Sequence, residues 1–126
     1  MTKISINKDS GNSSHEQFIK DFNIAFAKGN MNYVLDCFSD DIFWDVVNHE
    51  PVQGKEAVEK MLKEMDDIAD ELIIDDIVCD STKCVANGKL TYADSVIAFS
   101  DLYEFTSDIE GAKIKTLKGY AIELKL

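Results

Sequence analysis

Asp101 stands alone among Ile97, Phe99, Tyr103 and Phe105 on the odd-numbered side of a run that alternates like a β-strand. Side chains two apart in a strand point the same way, so these five share one face. An unpaired carboxylate on an apolar face is costly to desolvate. It must find a partner, reach water, or stay protonated because burial raises its pKa, in which case it becomes a hydrogen-bond donor. Asp45, between Phe43 and Val47, repeats the pattern on a shorter segment. Two acids in different surroundings can divide the work, one ionised as base and one neutral as donor. Such a pair would serve proton transfer next to a carbonyl, with Asp45 moving the proton and Asp101 stabilising the enolate. His49 lies in the following loop and, with an unperturbed pKa close to neutral, could share the transfer. Asp45, Asp101 and His49 are thus the candidate catalytic residues. The plainer alternatives are a paired structural acid, a solvated strand end and a surface histidine.

Other chemistries find less support. There is no serine–histidine–aspartate set, phosphate loop or HExxH zinc motif. Cys37 falls in the last turn of an expected helix, where the dipole disfavours a thiolate nucleophile. His15 reads as a first-turn helix residue without chemistry. The acidic stretch from Glu64 to Asp80 matches no calcium-loop spacing and reads as a solvated face. The expectation is a protein without metal or cofactor.

A chain of 126 residues, 45% of them hydrophobic, is enough for one domain with one core. A net charge of −11 argues against nucleic acid and anionic membranes as partners. No stretch is long and apolar enough to span a bilayer. Cys37, Cys79 and Cys84 form no CxxC pair and are odd in number, which suits reduced thiols and a cytoplasmic setting.

The elements that must position these acids fall into two halves. Residues 1–12 read as a flexible polar tail, and 13–126 as the domain. Ser13 and Ser14, with Glu16 and Gln17 three residues on, offer capping boxes for a first helix. Its inward stripe is Phe18, Phe22, Ala25 and Phe26, and Gly29 closes it. A short second helix carries Met31, Val34, Leu35 and Phe38. Ser39-Asp40-Asp41 breaks the pattern before a strand over 42–47, on which Trp44 points away from Asp45. Gly54 introduces a third helix that buries Val58, Met61, Leu62 and Met65. Strands are expected near 71–79, 83–93, 96–107 and 112–126, with turns at Ser81, at Asp94-Ser95 and around Gly111. Asn87-Gly88 is read as a bulge inside one long strand rather than a hairpin turn. On the last strand Ile114, Tyr120, Ile122, Leu124 and Leu126 are assigned to one inward face. The fold class is therefore α+β: a curved antiparallel sheet, rolled as a cone, packed on three N-terminal helices. Phe18, Phe22, Phe26, Phe43, Phe99, Tyr103 and Tyr120 would line its apolar interior around a small apolar molecule. The outer sheet face, with Val96, Ala98 and Leu102, is apolar enough to seat a second copy as a homodimer.

This arrangement resembles the nuclear transport factor 2-like superfamily, of the SnoaL-like and ketosteroid isomerase-like kind. The likeness runs from Ser14 to the C-terminus. It rests on Ala27-Lys28-Gly29-Asn30, Phe38-Ser39-Asp40-Asp41, Trp44-Asp45 with Glu50-Pro51-Val52-Gln53-Gly54, and Ser100-Asp101-Leu102-Tyr103-Glu104-Phe105. The resemblance implies a general base at Asp45, nine residues before Gly54, and a protonated oxyanion donor at Asp101. It also implies a tyrosine donor on the first helix, where this chain has Phe22. A phenyl ring donates no hydrogen bond, and losing one oxyanion donor costs about two to three orders of magnitude in rate. Tyr33, Tyr92, Tyr103 or Tyr120 would have to supply a hydroxyl from another wall. The same fold serves many purposes, so a non-catalytic module binding a ligand or a protein is the alternative.

Overall fold

The computed structural model describes residues 1–7, 13–65 and 67–124. Three helices, α1 (Ser14–Ala27), α2 (Met31–Asp36) and α3 (Lys55–Glu64), pack on one curved, unclosed sheet. Its strands are β1 (Lys3–Ile6), β2 (Phe38–Val46), β3 (Val52–Gln53), β4 (Glu71–Asp80), β5 (Lys83–Thr91), β6 (Val96–Phe105) and β7 (Ile114–Leu124). The spatial order is β1-β4-β5-β6-β7-β2-β3. β4 to β7 form an antiparallel meander, and β1 and β2 join its two sides in parallel.

The first helix starts where its capping chemistry demands. Ser13 Oγ accepts from the Glu16 N–H at 3.3 Å, and Glu16 Oε1 accepts from the Ser13 N–H at 2.8 Å. This reciprocal box satisfies two donors that the first turn leaves without helical partners. Ile19 and Phe22 of α1 then enter the core with Leu72, Ile74, Tyr103 and Leu117 from the sheet. Phe38, expected at the end of the second helix, instead begins β2 and is buried against Phe22 and Trp44. β2 runs straight through Ser39-Asp40-Asp41, with a register irregularity between Phe38 and Phe43.

Two bulges decide which residues face inward. One lies on β4, where pairing shifts between Ile74 and Asp76, opposite Gly88 and Asn87. Asn87-Gly88 is thus inside a continuous β5, as expected, and the extra residue belongs to β4. A Cβ on Gly88 would stand 1.9 Å from the Ile73 carbonyl oxygen, so the strands meet there only because the side chain is missing. The other bulge sets Phe105 opposite Ile114 and Glu104 opposite Thr116. It resets the phase of β7, so Leu117, Gly119 and Ala121 follow Ile114 onto the concave side. Tyr120 and Ile122, expected inward with Ile114, are exposed on the convex face as a result. Leu126 lies outside the described residues.

Two further expectations are corrected. Residues 3–6, assigned to a loose tail, form β1 beside β4; of that tail, residues 8–12 lie outside the described residues. Cys79 and Cys84, expected as free thiols, sit directly opposite each other in the β4–β5 ladder, with Cα atoms 4.1 Å apart, and are joined as a disulfide. That removes the support the cysteines gave to a reducing compartment. Among the described residues, no helix is long and apolar enough to cross a membrane.

Candidate functional site

The concave side of the sheet and α1 enclose a chamber of about 220 Å³. α1 contributes Phe22, Asn23 and Phe26; β6 contributes Ile97, Phe99 and Asp101. β2 adds Trp44 and Val46, and β7 adds Leu117, Gly119 and Ala121, with Tyr120 at the edge. Leu90, Tyr92 and Met65 complete the wall. The surroundings are almost wholly apolar, and Asp101 is the one carboxyl in this lining.

Asp101 reaches the chamber because β6 alternates without interruption from Ile97 to Phe105. Its cross-strand neighbours are Ala86 on β5 and Gly119 on β7, two residues too small to cover it. The Tyr103 hydroxyl, two residues along the same face, donates to Asp101 Oδ2 at 3.4 Å. Tyr103 in turn accepts from Asn23 Nδ2 at 3.0 Å, and the same amide donates to the Ile19 carbonyl at 2.9 Å. The chain Asn23–Tyr103–Asp101 ties the floor of the chamber to α1. Lys118 lies on the other face of β7 and does not pair with Asp101; its ammonium is 5.7 Å from the Tyr120 ring centre.

Burial pushes the Asp101 carboxyl up to about 7, and the hydrogen bond from Tyr103 offsets part of that rise. The surface it retains opens into the apolar chamber, so the protonated form persists well above the ordinary carboxylate range. Because Oδ2 accepts from Tyr103, the proton of the neutral acid belongs on Oδ1. The Tyr103 hydroxyl is raised well above its ordinary value, first by burial and then by the neighbouring carboxyl. It therefore acts only as a neutral hydrogen-bonding group.

The other expected site residues disperse. Asp45 is on the convex face of β2, where its neighbour across the ladder is Lys118. Phe43 shares that face and is exposed, as is His49 in the loop beyond. Ile42, Trp44 and Val46 take the inward positions instead. Both faces of this short strand are apolar, so alternation alone gave no way to choose between them. Of the expected lining residues, Phe22, Phe26, Phe99 and Tyr120 border the chamber. Phe18 lies elsewhere, edge-on against Phe105 at 5.2 Å between ring centres. Tyr103 lies beneath the floor, fully buried, and acts through Asp101. Trp44, expected to point away from Asp45, does so and lines the chamber.

Cys37 is buried, and desolvation pushes its thiol up to about 12. Its Sγ donates to the Tyr33 carbonyl at 3.3 Å, so it offers no nucleophile. Among the described residues, no group of three His, Cys, Asp or Glu side chains comes together to hold a metal ion.

No protein-family model matches the chain, and no curated protein matches it significantly. Solved structures do. A nuclear transport factor 2-like protein of unknown function from Cytophaga hutchinsonii is 28% identical, with a TM-score of 0.64 over 84% of this chain and 97% of its own. A candidate ketosteroid isomerase from Kribbella flavida has a TM-score of 0.71 at 11% identity, over 90% of this chain and 81% of its own. An LEH-like epoxide hydrolase from M. tuberculosis has a TM-score of 0.64 at 16% identity, over 84% and 80%. Helix order and the curved sheet agree with these neighbours: the chain has the nuclear transport factor 2-like fold.

Proposed function

We propose that this protein binds a small apolar molecule bearing one oxygen, and that the neutral Asp101 carboxyl donates a hydrogen bond or a proton to that oxygen. The observation that carries the reading is a lone carboxyl, raised to about 7, on the floor of an otherwise apolar chamber. An apolar cavity of about 150 Å³ accepts benzene, so about 220 Å³ has room for one or two rings. The two-acid enolisation scheme needs a base inside the chamber, and Asp45 faces away from it. A one-acid site is therefore the better description, fitting acid-assisted chemistry at an oxygen or simple ligand capture.

The test is binding of a neutral one-ring ketone at two pH values. Above pH 7 Asp101 ionises and can no longer donate, so affinity at pH 9 should be about tenfold weaker than at pH 5.5, the equivalent of one hydrogen bond. Asp101→Leu should abolish that dependence. Equal affinity of the wild-type protein at both pH values would contradict the donor role.

The convex face favours a second reading for assembly. Val85, Leu102, Tyr120 and Ile122 are exposed there on three adjacent strands. A second copy of the chain is the partner we assign to it. Light scattering at micromolar concentration should give about twice the 14.1 kDa chain mass, whereas a monomer would contradict this.

A further inference from the structure

We infer that the ligand oxygen is held by two donors, Asp101 and the indole N–H of Trp44, in the gap left by the missing side chain of Gly119. This rests on the chamber reading above and adds the second donor, the position of the oxygen and the orientation of the ligand.

Three observations converge. First, Gly119 lies on the concave side of β7, directly opposite Asp101 in the ladder. A methyl placed on it would stand 3.1 Å from Asp101 Oδ1 and 3.9 Å from Trp44 Nε1. That point is itself too close to the glycine backbone to hold a ligand atom, but with no Cβ there both groups stay uncovered and border the same part of the chamber, where an oxygen resting against Gly119 would meet both at hydrogen-bond distances of about 2.7–3.0 Å. Second, both groups have hydrogen-bonding capacity to spare. Asp101 Oδ2 is engaged by Tyr103, which leaves Oδ1 for the gap. Trp44 is buried, its ring packs against Phe38 at 5.5 Å, and among the described residues its N–H has no protein partner. Among the described residues the buried side-chain nitrogen left without a partner is His15 Nε2, not Trp44 Nε1, so the indole N–H keeps accessible surface and is open to a ligand acceptor. Third, the flanking residues are apolar, Leu117 and Ala121 beside Gly119 on β7 and Phe99 beside Asp101 on β6, while the polar neighbour Tyr103 is engaged with Asp101 and Asn23.

The chemistry required of the ligand follows. Both protein groups donate, so the ligand must offer an acceptor with two lone pairs: a carbonyl, an ether or an epoxide oxygen. An ammonium or other donor-only head cannot satisfy the pair. The rest of the molecule should be hydrocarbon of one or two rings lying toward Phe22, Phe26 and Ile97. Such an arrangement can stabilise negative charge developing on the oxygen, and Phe22, where the resemblance implies a tyrosine, is then no obstacle because the second donor comes from β2.

Trp44 is the one tryptophan in the chain, so its indole N–H gives a single resonance that reports directly on the gap. The wild-type protein at pH 5.5 would be titrated with cyclohexanone and with methylenecyclohexane, which replaces the oxygen by CH₂ at nearly the same shape. Cyclohexanone should move the indole proton downfield in a saturable way, and methylenecyclohexane should leave it nearly in place while still binding. By calorimetry, the ratio of the two affinities should shift against the ketone about tenfold in Trp44→Phe and about tenfold in Asp101→Leu, one hydrogen bond each. Gly119→Ala, which fills the gap, should remove the ketone preference and spare hydrocarbon binding. If the ketone preference falls in Asp101→Leu but is untouched in Trp44→Phe and Gly119→Ala, the two-donor gap is wrong and the one-acid chamber stands. If neither compound binds the wild-type protein at millimolar concentration, both are wrong.

Discussion

Asp101→Asn should make the protein more stable than the wild type at pH 8, although the exchange deletes a side-chain charge and adds no contact. The reason is linkage. In the unfolded chain this carboxyl titrates at about 4, and in the folded protein burial holds it at about 7. Below pH 4 both states are protonated and the group has no effect on folding. Between about 4 and 7 the unfolded chain releases a proton that the native state keeps, so stability falls as pH rises. Above 7 both states are ionised and the penalty is complete. At about 1.4 kcal/mol per pH unit, the full effect is about 4 kcal/mol at most, and less where the chamber admits water. Urea unfolding of both proteins at pH 4, 6 and 8 isolates it, because the remaining carboxylates are common to the two and cancel in the difference. The variant should gain about 3 kcal/mol on the wild type between pH 4 and pH 8. A difference independent of pH would mean that the acid is solvated in the folded protein.

The second large effect is steric. Gly88→Ala should destabilise the fold by about 3 kcal/mol or more, at the upper end of what overpacking costs. The added Cβ would meet the Ile73 carbonyl oxygen at 1.9 Å, and that atom belongs to a backbone that cannot rotate away. Relief requires parting β4 from β5 next to the Asp75 bulge, in the middle of their antiparallel ladder. Gly111→Ala is the control. Nothing lies within 4 Å of its Cβ position, but its φ of +91° is one that side chains disfavour, so about 1 kcal/mol of backbone strain is all it should cost. Urea midpoints should separate the two variants clearly. Equal losses would show that the β4–β5 contact yields more readily than its geometry implies.

How far the sequence could be read depended on whether a strand carried one apolar face or two. β6 has one strongly apolar face, interrupted only by Asp101, against an outer face broken by Ser100 and Glu104, and there alternation located the acid on the inner wall. β2 is apolar on both sides, with Phe43 and Val47 on one and Ile42, Trp44 and Val46 on the other. Period-two patterning is blind to which side meets the core. The reading that grouped Asp45 with Phe43 was sound as geometry and wrong as to inside and outside. The same choice hid Trp44, whose partnerless N–H is visible only once the strand is oriented. On β7 the bulge around Lys115 puts Ile114 and Leu117, three residues apart, on one face. No alternating pattern could have recovered Gly119 as the residue facing Asp101. The bulge at Asn87-Gly88 was legible because a turn there would have left two very short strands, although its extra residue proved to lie on β4. β1 carries only four residues and pairs in parallel with a segment 68 positions away, so local pattern gave it no voice. The Cys79–Cys84 bridge likewise followed from register: a spacing of five matches no redox or metal motif, yet a tight hairpin sets the two directly opposite. The helix starts were the most legible part, because Ser13, Asn30 and Gly54 mark them; their buried stripes were less so, since α2 buries only Val34, and Met65, expected inside, is exposed past the end of α3.

Everything proposed about ligand and chemistry depends on the ionisation of one side chain at the chamber floor. Its direct measurement is a carbon-13 NMR titration of the aspartate carboxyl resonances, with Asp101→Asn used to identify the signal that disappears. The account requires that signal to titrate with a midpoint close to 7, well above the ordinary carboxylate range. A midpoint of 4 or below for Asp101 would place a charged, solvated carboxylate where a neutral donor is required, and would contradict the account.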